Sequence, residues 1–367
     1  MKILILANND VGLYKFRKEL IEELLKQHEV FISLPYGVFV DTMVEMGCIF
    51  IETSLSRHGT NPVQDLKLYL HYKKIIKATK PDIVLTYTIK PNIYGGMACK
   101  KIGVRYIPNI TGLGTAVETP GLMQKITTRL YRIALKKADA VMFQNQENVD
   151  FFEKRRILFQ GTKRVLLPGS GVNLKEHTYT EYPKEETNTH FLFVGRALRE
   201  KGVDYYLRLA KEIRAQHPET VFHICGACDD ERYLSVFREA EENGTIVYHG
   251  EQRNMTPFFA SAHCVIHPTY YPEGMSNVLL EAAATGRPII TTNRSGCREI
   301  VDDGVNGYVV PTKDYDALFS ATERFLALSP ASRAEMGKRG TEKVEREFDR
   351  TIVIQKYMNE IEATRKK

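Results

Sequence analysis

Short, unbroken apolar runs alternate with longer amphipathic segments along this whole chain, and that alternation limits the fold more than any single motif does. In the first half the runs are residues 3–6, 30–34, 49–51, 83–86, 105–108, 140–143 and 165–167. In the second half they are 191–194, 221–225, 246–248, 264–267, 289–292 and 308–310. The segments between them, such as 14–26, 61–78 and 123–137, carry the apolar period of helices. Strands rich in β-branched residues and free of polar alternation are buried on both faces. The chain is therefore predicted to form α/β domains with parallel sheets covered by helices. The turn-rich stretch 168–173 and the polar, aperiodic stretch up to His190 read as a linker. The expected organisation is two doubly wound domains, 1–172 and 173–350, with a cleft between them and a final segment 351–367. Ligands of such folds bind at the carboxyl ends of the strands. A cleft between two such edges suits a two-substrate reaction that excludes water.

Composition removes several classes. At 367 residues, 43% hydrophobic and 26% charged, the chain suits a two-domain globular protein and not a disordered one. No apolar run approaches the ~18 residues of a membrane-spanning helix. The amino-terminal run is too short for a signal peptide and reads as a buried strand, so a cytoplasmic location is expected. Cys48, Cys99, Cys264 and Cys297 stand singly, and Cys225-x-x-Cys228 lacks a second ligand pair; they read as ordinary loop cysteines and not as a metal or redox site.

The net charge of +6 divides into +10 over residues 1–170 and −4 over 171–367. A basic front half suits a phosphate-bearing ligand, a nucleic acid or an anionic membrane surface. No zinc-finger, RNP-type or helix-turn-helix signal supports nucleic acid. Lys125, Arg129, Arg132 and Lys136 share one helix face, beside an apolar stripe of Leu122, Ile126, Leu130 and Ile133. Such a helix can lie in a lipid interface, or it can press its stripe on a sheet and leave its charges in water. The sequence leaves both open.

Two stretches of the second half carry chemistry. In Gly195-Arg196-Ala197-Leu198-Arg199-Glu200-Lys201-Gly202, between a strand and a helix, Gly195 allows close backbone approach. Arg196 offers a fork and Lys201 a point charge, a pair that suits a diphosphate or stands as two surface cations. In the segment 270–288, Ser276 or Asn277 is an expected N-cap, 278–285 the helix, Gly286 its stop and Pro288 just beyond. Free amides near Gly274, Met275 and Ser276 would then face phosphate or sugar oxygens. Glu273 precedes the helix and Glu281 lies on it. An eight-residue offset within one helix turns ~80° past two full turns, so the two carboxylates converge when Glu273 stands outside the helix. Each can accept sugar hydroxyls, a charge-assisted contact of roughly 1.5–3 kcal/mol, or be a solvated surface carboxylate.

Together, in this order and spacing, Gly195-Arg196 … Lys201-Gly202 and Glu273 … Glu281 resemble the retaining glycosyltransferases of family 4. That family has the GT-B fold, two Rossmann-like doubly wound domains facing across a cleft. Gly286-Arg287-Pro288-Ile289, Glu299-Ile300-Val301, Gly304 and Asn306-Gly307 extend the match, which covers essentially the whole chain. In the first half Thr88-Ile89-Lys90-Pro91-Asn92, Thr111-Gly112-Leu113-Gly114, Phe143-Gln144-Asn145 and Pro168-Gly169-Ser170-Gly171-Val172-Asn173 are similar to its capsule and lipid-linked-oligosaccharide branch.

The resemblance implies roles. Arg196 and Lys201 would neutralise the donor diphosphate in place of a divalent metal, so neither metal nor cofactor is implied. Glu281 would bind the ribose hydroxyls and Glu273 a hydroxyl of the transferred sugar; Glu273, Arg196 and Lys201 would be the catalytic set. Gly195 and the amides of Gly274, Met275 and Ser276 would touch the sugar and β-phosphate. Gly12, in the loop after the first strand, would let the first domain approach the phosphates. Arg17 would meet the acceptor's diphosphate, with Lys90 and Thr111 also in the acceptor site. Lys125, Arg129, Arg132 and Lys136 would contact the membrane. The final helix, 351–363, would cross back to the first domain. Many relatives carry a His where Thr111 stands, so one proposed catalytic dipole is missing here. Gly12 also stands alone where relatives often have two glycines, and Met275-Ser276 replaces a common Phe-Gly.

The implied activity is transfer of a hexose or N-acetylhexosamine from a UDP-sugar to a polyprenyl-diphosphate-linked glycan, in capsule, O-antigen or glycan assembly. It would occur on the cytosolic face of a bacterial inner membrane, with the anionic surface as a partner and no nucleic acid. Same-face displacement, with the leaving phosphate as base, is the expected mechanism. The alternatives are a family 4 transferase with another lipid or a soluble acceptor, and a nucleotide-sugar epimerase or binder of the same architecture. A nicotinamide-dependent oxidoreductase is disfavoured, since no Gly-x-Gly-x-x-Gly follows the first strand.

Overall fold

The computed structural model describes residues 1–54, 61–114, 117, 120–184, 188–272 and 274–365. The chain divides into two compact units: Met1–Ser170 with Thr351–Lys367, and Gly171–Arg350. The first holds a parallel sheet of β1 (Lys2–Leu6), β2 (Glu29–Leu34), β3 (Ile49–Glu52), β4 (Ile83–Tyr87), β5 (Arg105–Ile110), β6 (Ala140–Phe143) and β7 (Lys163–Leu166), in the order β3-β2-β1-β4-β5-β6-β7. Its helices are α1 (Asp10–Leu25), α2 (Val40–Glu45), α3 (Pro62–Thr79), α4 (Gly96–Ile102), α5 (Leu122–Ala134) and α6 (Gln146–Lys154). A π-turn, Pro91–Gly95, leads into α4, and a 3-10 turn, Leu135–Lys137, ends α5.

The second unit holds β8 (Thr189–Val194), β9 (Thr220–Cys225), β10 (Val247–Tyr248), β11 (Cys264–His267), β12 (Ile289–Thr292) and β13 (Gly307–Val310), ordered β10-β9-β8-β11-β12-β13. Around them lie α7 (Val203–Gln216), α8 (Glu231–Glu242), α9 (Thr256–Ser261), α10 (Asn277–Ala284), α11 (Tyr315–Leu326) and α12 (Pro330–Glu347). The last helix, α13 (Arg350–Arg365), packs Val353, Tyr357 and Ile361 into the first unit's core. Every predicted strand is present, its ends within two residues of expectation.

The reason for the unbroken apolar strands is visible in the packing. Ile3 and Ile5 of β1 join one core with Leu20, Leu24 and Ile32, while Leu4 and Leu6 join another with Tyr72, Ile76 and Val84. The second sheet does the same, with Phe191 and Phe193 on one face and Leu192 and Val194 on the other. Each such side chain, fully buried, contributes roughly 1.5–3 kcal/mol, and a polar residue at either phase would be desolvated.

The stretch read as a linker is instead docked on the second unit. The fully buried Arg287 donates from Nη2 to the carbonyls of Thr180 and Glu181, both at 2.8 Å, and from Nε to the carbonyl of Thr285 at 3.2 Å. Burial pulls its guanidinium down to about 10. Tyr182 places its hydroxyl 2.9 Å from the carbonyl of His263. Polar composition conceals such docking, because the anchoring bonds are made by backbone carbonyls.

Four histidines cross the second sheet edgewise. His190 Nδ1 and His223 Nε2 are 2.8 Å apart, and His223 Nδ1 and His249 Nε2 2.9 Å. The amide of His190 donates to His263 Nδ1 at 3.0 Å. Burial, then the neighbouring His190, pushes His223 and His263 down to about 4. The unfolded chain takes up protons near pH 6.5 while the folded chain resists until about 4, so stability rises with pH across that window. We expect on the order of 3–5 kcal/mol to be lost from pH 6.5 down to 4 through these two groups. Urea denaturation at several pH values checks this. The slope between pH 6.5 and 5 should be shallower for His223→Gln, and an unchanged slope would contradict it.

Candidate active site

The loop after β8 is held by backbone contacts. The Gly195 amide donates to the carbonyl of Cys225 at 2.9 Å, and that of Ala197 to Ala227 at 2.9 Å. A Cβ on Gly226 would lie 1.9 Å from the Gly195 carbonyl oxygen, so this approach requires glycine. Arg196 stands exposed on the loop. Lys201 closes a 3-10 turn, Arg199–Lys201, and its Nζ lies 5.0 Å from the ring centroid of Tyr271. Gly202, at φ +83°, then opens α7.

That loop is tied to the loop after β11. The Tyr270 amide donates to the Glu200 carbonyl at 2.8 Å, and Thr269 Oγ1 donates to the same oxygen at 3.2 Å. Arg294 Nε, from the loop after β12, donates to the Tyr271 carbonyl at 3.2 Å. Behind them His267 is fully buried and both its ring nitrogens lack a partner. Burial first, then the charge of Lys201, pushes it down to about 3, so it is neutral near pH 7.

Ser276 is the N-cap of α10 by position, although its side chain makes no capping bond. Its amide donates to the Gly296 carbonyl at 2.7 Å, so the expected contact of that amide with sugar or phosphate is corrected. Gly274 and Met275 are buried beside it. Glu281 sits half-buried on α10. Glu273 lies outside the described residues. Glu299, given no role from the sequence, receives the Gly296 amide at 2.7 Å and the Ser295 hydroxyl at 3.1 Å. A glutamate three residues after a small turn residue is the pattern that signals it.

The first unit departs more from expectation. Gly12 is not in the loop after β1 but in the first turn of α1, and its amide donates to Asn9 Oδ1 at 2.6 Å. Asn9 is the N-cap and occupies the amide that a phosphate would use. Arg17 is not available to an acceptor diphosphate. Its guanidinium is buried 5.2 Å from the ring centroid of Tyr87 and 5.8 Å from that of Tyr357. The Tyr357 hydroxyl meets Asn109, whose carbonyl accepts from Asn92 Nδ2 at 2.7 Å. Arg17 thus belongs to a buried network under the carboxyl edge of β4 and β5. Lys90 pairs with Asp65 at 3.1 Å, and Thr111 follows β5, half-buried.

On α5 the buried face is Gln124, Thr127, Tyr131 and Ala134. Of the apolar stripe, Leu122 is 74%, Ile126 44% and Ile133 41% exposed, while Leu130 is half-buried. Lys125, Arg129, Arg132 and Lys136 are exposed as well. Lys136 lies past the end of α5, and it and Arg132 each stand 5.9 Å from the ring centroid of Phe159. Three of the four stripe residues are thus exposed, and the fourth, Leu130, packs on the core that holds Ile110, Val141 and Phe143. Among the described residues no helix is long and apolar enough to cross a membrane, and no cluster of His, Cys, Asp or Glu could hold a metal ion.

Two doubly wound parallel units, the second presenting Arg196 and Lys201 on a glycine-held loop beside the α10 amino terminus, define the GT-B class of glycosyltransferase. The family described as "Glycosyl transferase 4-like" matches residues 2–145, and that described as "Glycosyl transferases group 1" matches residues 175–343. Both halves thus match glycosyltransferase family models, and the chain is a glycosyltransferase, an enzyme that transfers sugars. It is 25% identical to the N,N'-diacetylbacillosaminyl-diphospho-undecaprenol alpha-1,3-N-acetylgalactosaminyltransferase of Campylobacter jejuni, over 98% of this chain and 97% of the relative. It is 24% identical to the UDP-Gal:alpha-D-GlcNAc-diphosphoundecaprenol alpha-1,3-galactosyltransferase of Escherichia coli, over 82% and 81%. In fold it is similar to HepE of Anabaena in complex with UDP and glucose, with a TM-score of 0.80 and 15% identity over 99% of this chain and 100% of the other.

The seam between the β8 and β11 loops is testable. A Cβ on Gly202 would lie 2.2 Å from the Pro268 carbonyl oxygen at a φ that L side chains disfavour. Gly202→Ala should destabilise the protein by about 2–4 kcal/mol in urea denaturation. A change within ~0.5 kcal/mol, the level of ordinary surface substitutions, would show that the seam yields.

Proposed function

We propose that this enzyme moves a hexose or N-acetylhexosamine from a UDP-sugar, with retention of anomeric configuration, onto a sugar carried by a polyprenyl diphosphate. The setting is capsule, O-antigen or glycan assembly at the cytosolic face of the membrane. The observation that carries this reading is the outward apolar stripe of α5 beside its exposed cations, an arrangement suited to an anionic lipid surface. The names of the Campylobacter and Escherichia relatives, each citing a diphospho-undecaprenol sugar, support the acceptor. The UDP of the Escherichia name and of the HepE complex supports the donor.

In this reading the second unit binds the donor. Arg196 and Lys201 meet the diphosphate, Glu281 the ribose hydroxyls and Glu273 a hydroxyl of the transferred sugar, with the backbone of Gly195, Gly274 and Met275 alongside. The bond from the anomeric carbon to the UDP oxygen breaks as the acceptor hydroxyl attacks from the same face. The acceptor's proton passes to the departing phosphate. Two fixed cations that stabilise the developing negative charge do most of the catalytic work, and positioning does the rest. The first unit binds the acceptor, through Lys90 and Thr111, and the membrane, through Lys125, Arg129, Arg132 and Lys136.

Release of UDP from UDP-sugars, with and without membrane extract containing lipid-linked sugars, tests the reaction. Lys201→Ala should lower the extract-dependent rate about 10²-fold, as removal of a preorganised charge partner does. Glu281→Ala should raise the donor KM about tenfold, the loss of one charge-assisted hydroxyl contact. Release that ignores the extract would sink the lipid-linked acceptor. Binding to anionic vesicles tests the surface. It should weaken in high salt and in the Lys125→Glu, Arg129→Glu, Arg132→Glu triple variant. Salt-insensitive binding, or none, counts against it.

A further inference from the structure

Two cavities of the first unit meet at one ion pair. The first, about 670 Å³, is polar and is lined by Glu52 at the end of β3 and by Gln64, Lys67 and His71 of α3. The second, about 640 Å³, is an apolar groove between Leu66 and Tyr69 of α3, Ile89 and Met97 before and on α4, and Ile126 and Leu130 of α5. Asp65 and Lys90 line both. Their side chains are 11% and 17% exposed and 3.1 Å apart. Thr88, at φ +70° just past β4, turns the chain so that Lys90 reaches this junction. Burial first, and then the nearby Asp65 carboxylate, raises the Tyr94 hydroxyl above its ordinary pKa, which places Tyr94 of the groove close to the pair.

Direction follows from the topology. α3, the π-turn with α4, and α5 each return from the carboxyl end of a parallel strand. The groove between them therefore has one end at the carboxyl edge, where the ion pair stands, and runs back along the helices. Lys100 and Lys101 lie on its rim, farther along α4. Lys100 donates to the carbonyl of Ile133 at 3.0 Å and stands close enough to Lys136 and Lys137 for those cations to disfavour its charge.

We infer that the polar cavity, the Lys90–Asp65 pair and the apolar groove form one binding site for a prenyl diphosphate sugar. The prenyl units next to the phosphate lie in the groove, the diphosphate lies at Lys90, and the glycan lies in the polar cavity. This rests on the lipid-linked acceptor proposed above and adds where its tail is held. An ammonium has three donors, so Lys90 can keep Asp65 and still bond a phosphate oxygen. The groove volume is in the range of small-molecule sites, and its lining has the apolar character that a hydrocarbon needs. Ile126, Leu130 and Ile133 of the α5 stripe also line the groove, so the groove opens on the face proposed to meet the bilayer and can take a single chain out of it.

Farnesyl diphosphate, inorganic diphosphate and farnesol, titrated into the full-length protein without vesicles, test the site. Farnesyl diphosphate should bind at least about tenfold tighter than either part alone. Ile126→Glu, at an exposed position that the fold tolerates, should weaken farnesyl diphosphate about tenfold and leave inorganic diphosphate unchanged. Lys90→Gln should weaken both. Equal affinity for inorganic and farnesyl diphosphate, or an Ile126→Glu variant that melts like the parent and binds farnesyl diphosphate equally well, would overturn the groove. Transfer to lipid-linked sugars with an unchanged acceptor KM in Ile126→Glu would also overturn it while leaving the proposed reaction standing. Farnesyl diphosphate binding in the groove without any extract-dependent transfer would keep the site and remove the reaction.

Discussion

A strand that pairs in parallel with its neighbour must first return to the edge where that neighbour began, and a helix makes the return. Both sheets here are parallel throughout, so each strand hands its loop to the same edge of its sheet. The apolar strands leave no place for chemistry within the sheets. Asn9, Thr88 and Thr111 in the first unit, and Gly195 and Gly226 in the second, stand within three residues of a strand end, and Gly274 lies farther along the loop after β11. The shared edge of each sheet gathers residues that are far apart in sequence.

In the second unit that edge is stiffened before any ligand arrives. Gly226 lets the β9 loop touch the Gly195 carbonyl, Glu200 accepts from two residues of the β11 loop, and Gly296 accepts from Ser276. All but the Thr269 hydroxyl bond are backbone contacts, so the orientation of the loops depends little on side-chain rotamers. Arg196 and Lys201 are carried on this frame. A cation fixed in advance needs little reorganisation as charge develops on a leaving group, and that is the main source of electrostatic catalysis.

The fold was legible because buried parallel strands have a composition of their own, and runs such as 140–143, 264–267 and 289–292 match their strands residue for residue. The pair Arg196 and Lys201, proposed to meet the donor diphosphate, stands out in the sequence because glycines bracket it on both sides. What stayed hidden depends on partners distant in sequence. Arg17 reads as a free cation until Tyr357 of the last helix covers it. Arg287 reads as part of a helix stop, yet it holds the 179–182 segment through carbonyls that no composition reveals. Gly12 reads as a loop residue because α1 starts at Asp10, capped by Asn9, four residues before the apolar period begins at Tyr14. The Asp65–Lys90 pair joins residues from different βα connections and has no local signal at all.

The α5 helix shows how far periodicity can reach. Its pattern gave two opposed faces but not which of them meets the core. In the fold Gln124 is turned inward, where its Nε2 donates to the Val117 carbonyl at 2.6 Å, and Tyr131 packs on Phe152. Leu122, Ile126 and Ile133 stay outside. Burying a leucine or isoleucine contributes roughly 1.5–3 kcal/mol, so a helix that buries glutamine and exposes three such side chains forgoes several kcal/mol of folding free energy. The inward face keeps Tyr131 and Ala134 buried, with Leu130 packed beside them. In the function proposed above, an apolar phase outside the fold would offset the exposure: a bilayer for the stripe and a hydrocarbon chain for the groove that Ile126 shares with Met97 and Leu66. The exposed cations of the same helix would then favour an anionic surface over a neutral one.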